Sequence, residues 1–318
     1  MRLFAFFLSL TFIFTSEAQE PYPSKSVRLI AAAAPGGNPD VLGRMLAAKL
    51  GDAFGKPFVV ENVPGAGGVV AAEQVARAAA DGYTLMLGDS GAMAINVALN
   101  PRISYQPLRD FTLITALAAV PTVLVTNPAL PASSLSDFIR EAKAKQLAYG
   151  SAGNGSVHHL TMAVFLSRAG VDSMLHVPYK GGTALVAALL AGEVQSGWSG
   201  IPNVASHIKA GKLRVLCIST AQRSASLPEV PTAAELGFAG FDIATVIGLQ
   251  APAGLPRDIG ARLQAAVAKA LRERDIAERM ANLGMELRED GTENYARFAR
   301  ADLERYTAAV KTAGIKSE

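Results

Sequence analysis

The 318-residue chain has one cysteine, so no intrachain disulfide can form. Cys217 lies in Leu213-Arg-Val-Leu-Cys-Ile-Ser219, a run that reads as a buried strand, where a thiol packs rather than reacts. Histidine is scarce too. His158 and His159 are adjacent, so they leave a helix on different faces, and no second cluster of Cys, His or carboxylates accompanies them; no metal and no cofactor is expected. An excess of one charge is nearly absent: 30 Lys and Arg against 27 Asp and Glu give +3, with no basic run of the kind that grips nucleic acid. Long apolar runs are missing as well. The one near the start, Leu3 to Phe14, has about 12 residues against the roughly 20 that span a bilayer. It follows Met1-Arg2 and precedes Thr15-Ser16-Glu17-Ala18, which reads as a secretory signal cleaved after Ala18, implying export to the periplasm. No cysteine follows it, so no lipid anchor is expected. Removing residues 1–18 takes away Arg2 and Glu17 and leaves the net charge unchanged.

What is present is alternation. Short apolar runs alternate with helix-length amphipathic segments, the pattern of a wound α/β fold with largely parallel sheets. Val27 to Ala32 reads as a strand and Asp40 to Phe54 as a helix with Val41, Met45, Leu46 and Leu50 on one face. Strand, glycine loop and helix then recur, and the pattern begins again near Val123. The tail differs: Pro256 to Arg274, Ile276 to Leu283 and Asn294 to Ala313 read as helices that coat a sheet. Val120-Pro121 and Ala251-Pro-Ala-Gly254 mark joints. The expected organisation is a first lobe of residues 20–122 and 246–318, a second lobe of 123–245, and two crossings forming a hinge.

Two loops stand out chemically. Ala34-Pro35-Gly36-Gly37-Asn38-Pro39-Asp40 lies between a strand and a helix, and the second lobe has an analogue in Ser151-Ala152-Gly153-Asn154-Gly155-Ser156. A helix N-terminus presents unpaired N–H groups and partial positive charge, and residues without bulky side chains let an anion approach it. Gly36 and Gly37 are therefore read as ligand contacts; Asp40 is read as the helix cap.

The stretches Tyr22-Pro-Ser-Lys, Pro35-Gly-Gly, Val60-Glu-Asn-Val-Pro-Gly-Ala-Gly-Gly68, Asp81-Gly-Tyr-Thr-Leu85, Ser151-Ala-Gly-Asn-Gly-Ser156, His176-Val-Pro-Tyr-Lys-Gly181, His207-Ile-Lys-Ala-Gly-Lys-Leu-Arg214, Leu227-Pro-Glu-Val-Pro-Thr232 and Ala251-Pro-Ala-Gly254 together resemble the Bug/TctC family. Its members are the extracytoplasmic receptors of tripartite tricarboxylate transporters. The resemblance spans the chain after the signal and implies a two-lobed periplasmic binding protein of the Venus-flytrap, type II-like class. It implies a monomer that holds a small carboxylate through backbone amides, hydroxyls and water, and delivers it to membrane components. By the same resemblance Pro35, Gly36, Gly37, Ser90, His159 and the Ser151 to Ser156 loop fall near the cleft, with Asn38 beside them. Two departures bear on ligand choice: Asp89 stands where the family often has Thr or Ser, and Ser199-Gly200 where it often has an acidic or amide pair. An Asp89 that faces the ligand would repel a second carboxylate, and Trp198 would pack against an apolar or cationic far end.

Other readings have weaker support. Gly88-Asp-Ser-Gly91 echoes a protease nucleophile segment without its companions, Gly197-Trp-Ser-Gly-Ile201 lacks the second glycine of a nucleophile elbow, and Gly65-Ala-Gly-Gly-Val-Val70 ends in valine where a dinucleotide loop needs glycine or alanine. An enzyme built on His159 and Asp89 is one alternative; a ligand sensor that signals to a membrane partner is another.

Overall fold

The computed structural model describes residues 22–288 and 290–313. The leader reading falls on residues 1–18, outside the described residues. Strand β1 (Val27–Ala31) leads into α1 (Asn38–Phe54), then β2 (Phe58–Asn62) runs through a short turn into α2 (Val69–Ala76). β3 (Thr84–Asp89) enters a π-helical turn at Gly91–Ile95, followed by the short α3 (Asn96–Leu99) and α4 (Pro107–Asp110). The long β4 (Phe111–Thr126) opens the second half: α5 (Leu135–Ala144), β5 (Ala148–Ser151), α6 (Val157–Ala169), β6 (Leu175–Pro178), α7 (Gly182–Ala191), β7 (Ser196–Gly200), α8 (Ile201–Lys209) and β8 (Arg214–Ile218). β9 (Ala244–Pro252) returns the chain to α9 (Arg257–Arg272), α10 (Arg274–Asn282), β10 (Glu286–Leu287) and α11 (Thr292–Ala313).

The main strand order is β2-β1-β3-β9-β4-β7-β5-β6. Strands β2, β1 and β3 are parallel, as are β6, β5 and β7, each trio followed by helices. Between the trios the pairing is antiparallel, which the alternation of strands and helices does not announce. β4 is the reason the sheet has two halves. From Phe111 to Pro121 it pairs with β9, and from Thr122 to Thr126 with β7, with β8 on its other side. The change of partner falls at Pro121, which has no N–H to give a ladder.

Each half has its own apolar layers. In the first, Leu42, Leu46 and Leu50 of α1 meet Leu263, Val267 and Leu271 of α9 across one sheet face, while Ile30, Met86, Val75 and Tyr105 fill the other. In the second, Phe138, Phe165, Trp198 and Phe241 form an aromatic centre, with Leu185, Leu189, Val204 and Ile218 on the opposite face. Burying each such leucine contributes about 1.5–3 kcal/mol. Helix α11 ties the halves together: Tyr295 and Ala299 enter the first half's layer, and Tyr306 and Val310 the second half's aromatic one. Its Tyr306 hydroxyl donates to the carbonyl of Ala244 (3.0 Å) and Arg305 donates to that of Asp242 (2.8 Å), at the segment where β9 crosses between halves. Cys217 is buried in β8, and burial pushes its thiol pKa up.

Candidate functional site

Ligands of open α/β sheets bind beyond the carboxyl ends of the strands, and here six such ends converge. β1, β2 and β3 of one half and β5, β6 and β7 of the other each hand over to a helix or helical turn on the side where the halves meet. The residues at the helix starts are Gly37 for α1, Gly68 for α2, Gly181 for α7 and Gly200 for α8, while Ser156 caps α6. Glycine has no Cβ to shield the first-turn amides, so a ring of partial positive charge faces the cleft, with the exposed Lys180 beside Gly181.

The two halves touch through these loops. A Cβ built on Gly36, whose φ of +79° suits glycine, would lie 3.4 Å from Thr183 Oγ1; one on Gly181 would lie 3.4 Å from Ala34 Cβ; one on Gly200 would lie 2.9 Å from Asn38 Nδ2. Asn96 closes the other end of the cleft. Its side-chain amide donates to the carbonyls of Gly91 (2.8 Å) and Gly67 (3.3 Å) in its own half and to that of Gly155 (3.0 Å) in the other. Asn38 is buried with its Oδ1 unpartnered, and Ser199, next to Gly200, is buried with its Oγ unpartnered. Leaving such atoms unsatisfied costs about 1–3 kcal/mol each, which a ligand or water would relieve.

The first loop differs from its expected chemistry in detail. The N–H of Gly36 donates to Asp40 Oδ2 (2.8 Å) and that of Gly37 to the carbonyl of Ala34 (3.0 Å), so both amides serve the loop itself. The donors left at this end are the first-turn amides beyond Gly37. Asp40 is not the residue before the helix, as its reading as the cap required; Gly37 is, and Asp40 reaches back from the first turn. Its carboxylate also accepts from Asn62 Nδ2 (2.9 Å) and pairs with Arg44 (2.9 Å). Burial pushes its pKa up, but the bonds from Gly36, Arg44 and Asn62 outweigh that and hold it below the usual carboxylate range. Pro35 and Gly36 lie exposed at the rim.

In the second loop Ser156 is a true cap: its Oγ accepts from the His159 N–H (3.3 Å) and donates to the Gly153 carbonyl (2.7 Å). Ser151 is buried beneath the loop, its Oγ 2.7 Å from His176 Nε2 and accepting from the Gly153 N–H at 3.1 Å. The His176 ring lies between Tyr149 (4.9 Å) and His159 (4.0 Å, 5° from parallel), and burial lowers its pKa to about 4, so it stays neutral. His159 Nδ1 accepts from the Gly155 N–H at 3.4 Å. The Ala152 carbonyl holds the Gly181 N–H (3.2 Å), coupling this loop to the next, while Asn154 is at the exposed tip. Among the described residues no group of three His, Cys, Asp or Glu could hold a metal ion.

Two candidates are corrected. Trp198 is fully buried, stacked on Phe241 (5.7 Å) and edge-on to Phe165 (6.1 Å), so it packs the second half's core and does not reach a ligand. Ser90 is buried with its Oγ donating to Asp302 (3.1 Å) and accepting from the Val246 N–H (3.1 Å), turned toward α11. Asp89 is half-buried; its Oδ1 accepts from the N–H groups of Gly91 (2.9 Å) and Ala92 (3.4 Å) at the start of the π-turn. Burial raises its pKa to about 6 against these two bonds. The residues that reasoning from sequence left out are Asn96, Gly67, Gly181 and Thr183. The glycine-rich runs Val63 to Gly68 and Tyr179 to Gly182 were the available signal for two of them, Gly67 and Gly181.

Residues 42–315 match the family described as the tripartite tricarboxylate transporter family receptor. The chain belongs to that family. BugT of Bordetella pertussis is 34% identical over 319 residues, covering 99% of this chain and 98% of its own. Among solved structures, the R. palustris protein Rpa4515 with adipate is 33% identical with a TM-score of 0.89, covering 93% of this chain and 99% of its own. MatC from Rhodopseudomonas palustris with bound malate is 32% identical with a TM-score of 0.86, covering 91% and 100%. The fold is thus that of a two-lobed periplasmic binding protein, and this receptor's lobes are the two halves that meet at the cleft. No helix among the described residues is long and apolar enough to cross a membrane.

Proposed function

We propose that this receptor captures a small carboxylate in the periplasm and delivers it to the membrane components of a tripartite tricarboxylate transporter. The observation that carries the reading is the convergence of glycine-started helix N-termini from both lobes on one cleft, where Lys180, the cation in the loop before α7, is exposed beside Gly181. Such a site suits an anion that must be both held and released: amides and hydroxyls satisfy the carboxylate without a buried counter-charge that would trap it. Relatives carrying adipate and malate support the ligand class. The solute first meets the α1 end of the cleft, and the Ser151 to Ser156 loop then closes over it. Closure is favoured only by the ligand's better fit to the closed state. Micromolar affinity, about −8 kcal/mol, is expected.

A thermal-shift screen of the chain against mono-, di- and tricarboxylates and aromatic acids tests this. Saturation at 100 times Kd should add about 2.7 kcal/mol of stability, read as a rise in Tm. A screen in which no carboxylate moves Tm would sink the proposal. Delivery is tested separately: deleting the gene should abolish uptake of the acid that binds, and unchanged uptake would leave a receptor that feeds no transporter.

A further inference from the structure

We infer that Asp89 makes the cleft select against a second carboxylate, so that the solute carries one carboxylate and a neutral or cationic group at the end that meets β3. The inference rests on the carboxylate-receptor reading and narrows it. Asp89 is the last residue of β3, the strand end beside the β1 loop. Its position relative to the lobe contact is fixed through Gly91: a Cβ there would stand 2.9 Å from Asp89 Oδ1, 2.9 Å from the Gly67 carbonyl oxygen and 3.7 Å from that of Gly155. The carboxylate therefore sits beside Gly91, where loops of both lobes meet.

It also takes the place an anion would use. The Gly91 and Ala92 N–H groups at the start of the π-turn, the donors this strand end has to offer, already point at Asp89 Oδ1. No ion pair to Asp89 is present among the described residues, so its charge is not neutralised locally. Asp40, the other acidic residue of the cleft loops, is paired with Arg44 and faces Gly36 and Asn62 instead. A ligand carboxylate arriving near Asp89 would meet a like charge and occupied amides, whereas an amide, hydroxyl or ammonium would meet acceptors.

Isosteric pairs that differ by one charge isolate the effect: dicarboxylates of four to eight carbons, such as adipate, and their mono-amides. Calorimetry at neutral pH on the wild-type chain should give mono-amides binding at least tenfold more tightly than the matching diacids. In Asp89→Thr the ratio should fall to within about threefold. Asp89→Asn keeps an acceptor for Gly91 and guards against a collapsed turn; it should shift the ratio the same way. A wild-type chain that binds diacids as well as their mono-amides, or a ratio unmoved in both folded variants, overturns the inference while leaving a carboxylate receptor. If no member of the panel binds any of the three proteins, the inference falls, because the mono-amides carry the one carboxylate and neutral far end that it assigns; the receptor reading falls only if the wider carboxylate screen fails as well.

Discussion

Replacing Gly155 with alanine should weaken ligand binding roughly 10- to 100-fold. Gly155 has φ of +71°, where a Cβ costs about 1–2 kcal/mol in any state of the cleft, so that part lowers stability alone. The part that affects affinity lies across the lobes. The added Cβ would fall on Asn96 Oδ1 and 2.7 Å from its Cγ, so the Asn96 side chain has to leave the position from which it holds Gly155, Gly91 and Gly67. Each lost bond is worth about 0.5–1.5 kcal/mol, and the loops must also separate. A cost of about 1.5–3 kcal/mol falls on the closed state only, which at 1.4 kcal/mol per tenfold gives the stated range. Calorimetry reads the affinity, and X-ray scattering with saturating ligand reads a larger radius of gyration than in wild type. Asn96→Ala removes the obstruction, so Gly155→Ala should cost less in that background than alone. Wild-type affinity in Gly155→Ala, or strict additivity in the double variant, would refute the idea that this contact holds the lobes closed.

Three further outcomes follow from the site. Ser156→Ala removes the cap of α6 and should cost about 1 kcal/mol in denaturant unfolding, with weaker ligand binding; an unchanged midpoint would mean that the hydroxyl does not cap. Asp89 has a folded pKa raised to about 6, so the folded state holds its proton between pH 4 and 6 while the unfolded chain releases it. Stability should therefore fall as pH rises through that window, and wild type should lose about 1–2 kcal/mol relative to Asp89→Asn between pH 4 and 7, a figure reduced for its partial exposure; parallel urea midpoints would contradict it. Trp198 emission should stay nearly constant during ligand titration because the indole is enclosed by Phe165 and Phe241, and a large spectral shift would return it to the site.

The elements within each lobe were legible because their signals are local. The strand at Val27, the helix ending at Phe54 and the paired glycine loops follow from apolar period and turn chemistry. The strands that join the lobes were not. Pro121 reads as a break, yet β4 runs through it, because the missing N–H falls where the strand exchanges β9 for β7. The site showed the same division. Loop positions could be found, but not side-chain direction: Ser90 turns to Asp302, 212 residues away, and Asn96 reaches Gly155, 59 residues away, from a helix of four residues with no period to read. A cleft residue is expected to follow its strand, but Trp198 lies in the middle of β7, and in a strand buried along its whole length nothing in the pattern tells which face is core.

The central claim is that helix N-termini of both lobes hold one solute, and amide hydrogen exchange measures those N–H groups directly. With a carboxylate bound at saturation, the segments at Asn38 to Val41, Ser151 to His159 and Gly181 to Leu185 should all gain protection, the first from one lobe and the others from its neighbour. Protection confined to a single lobe, or appearing away from these helix starts, would contradict it.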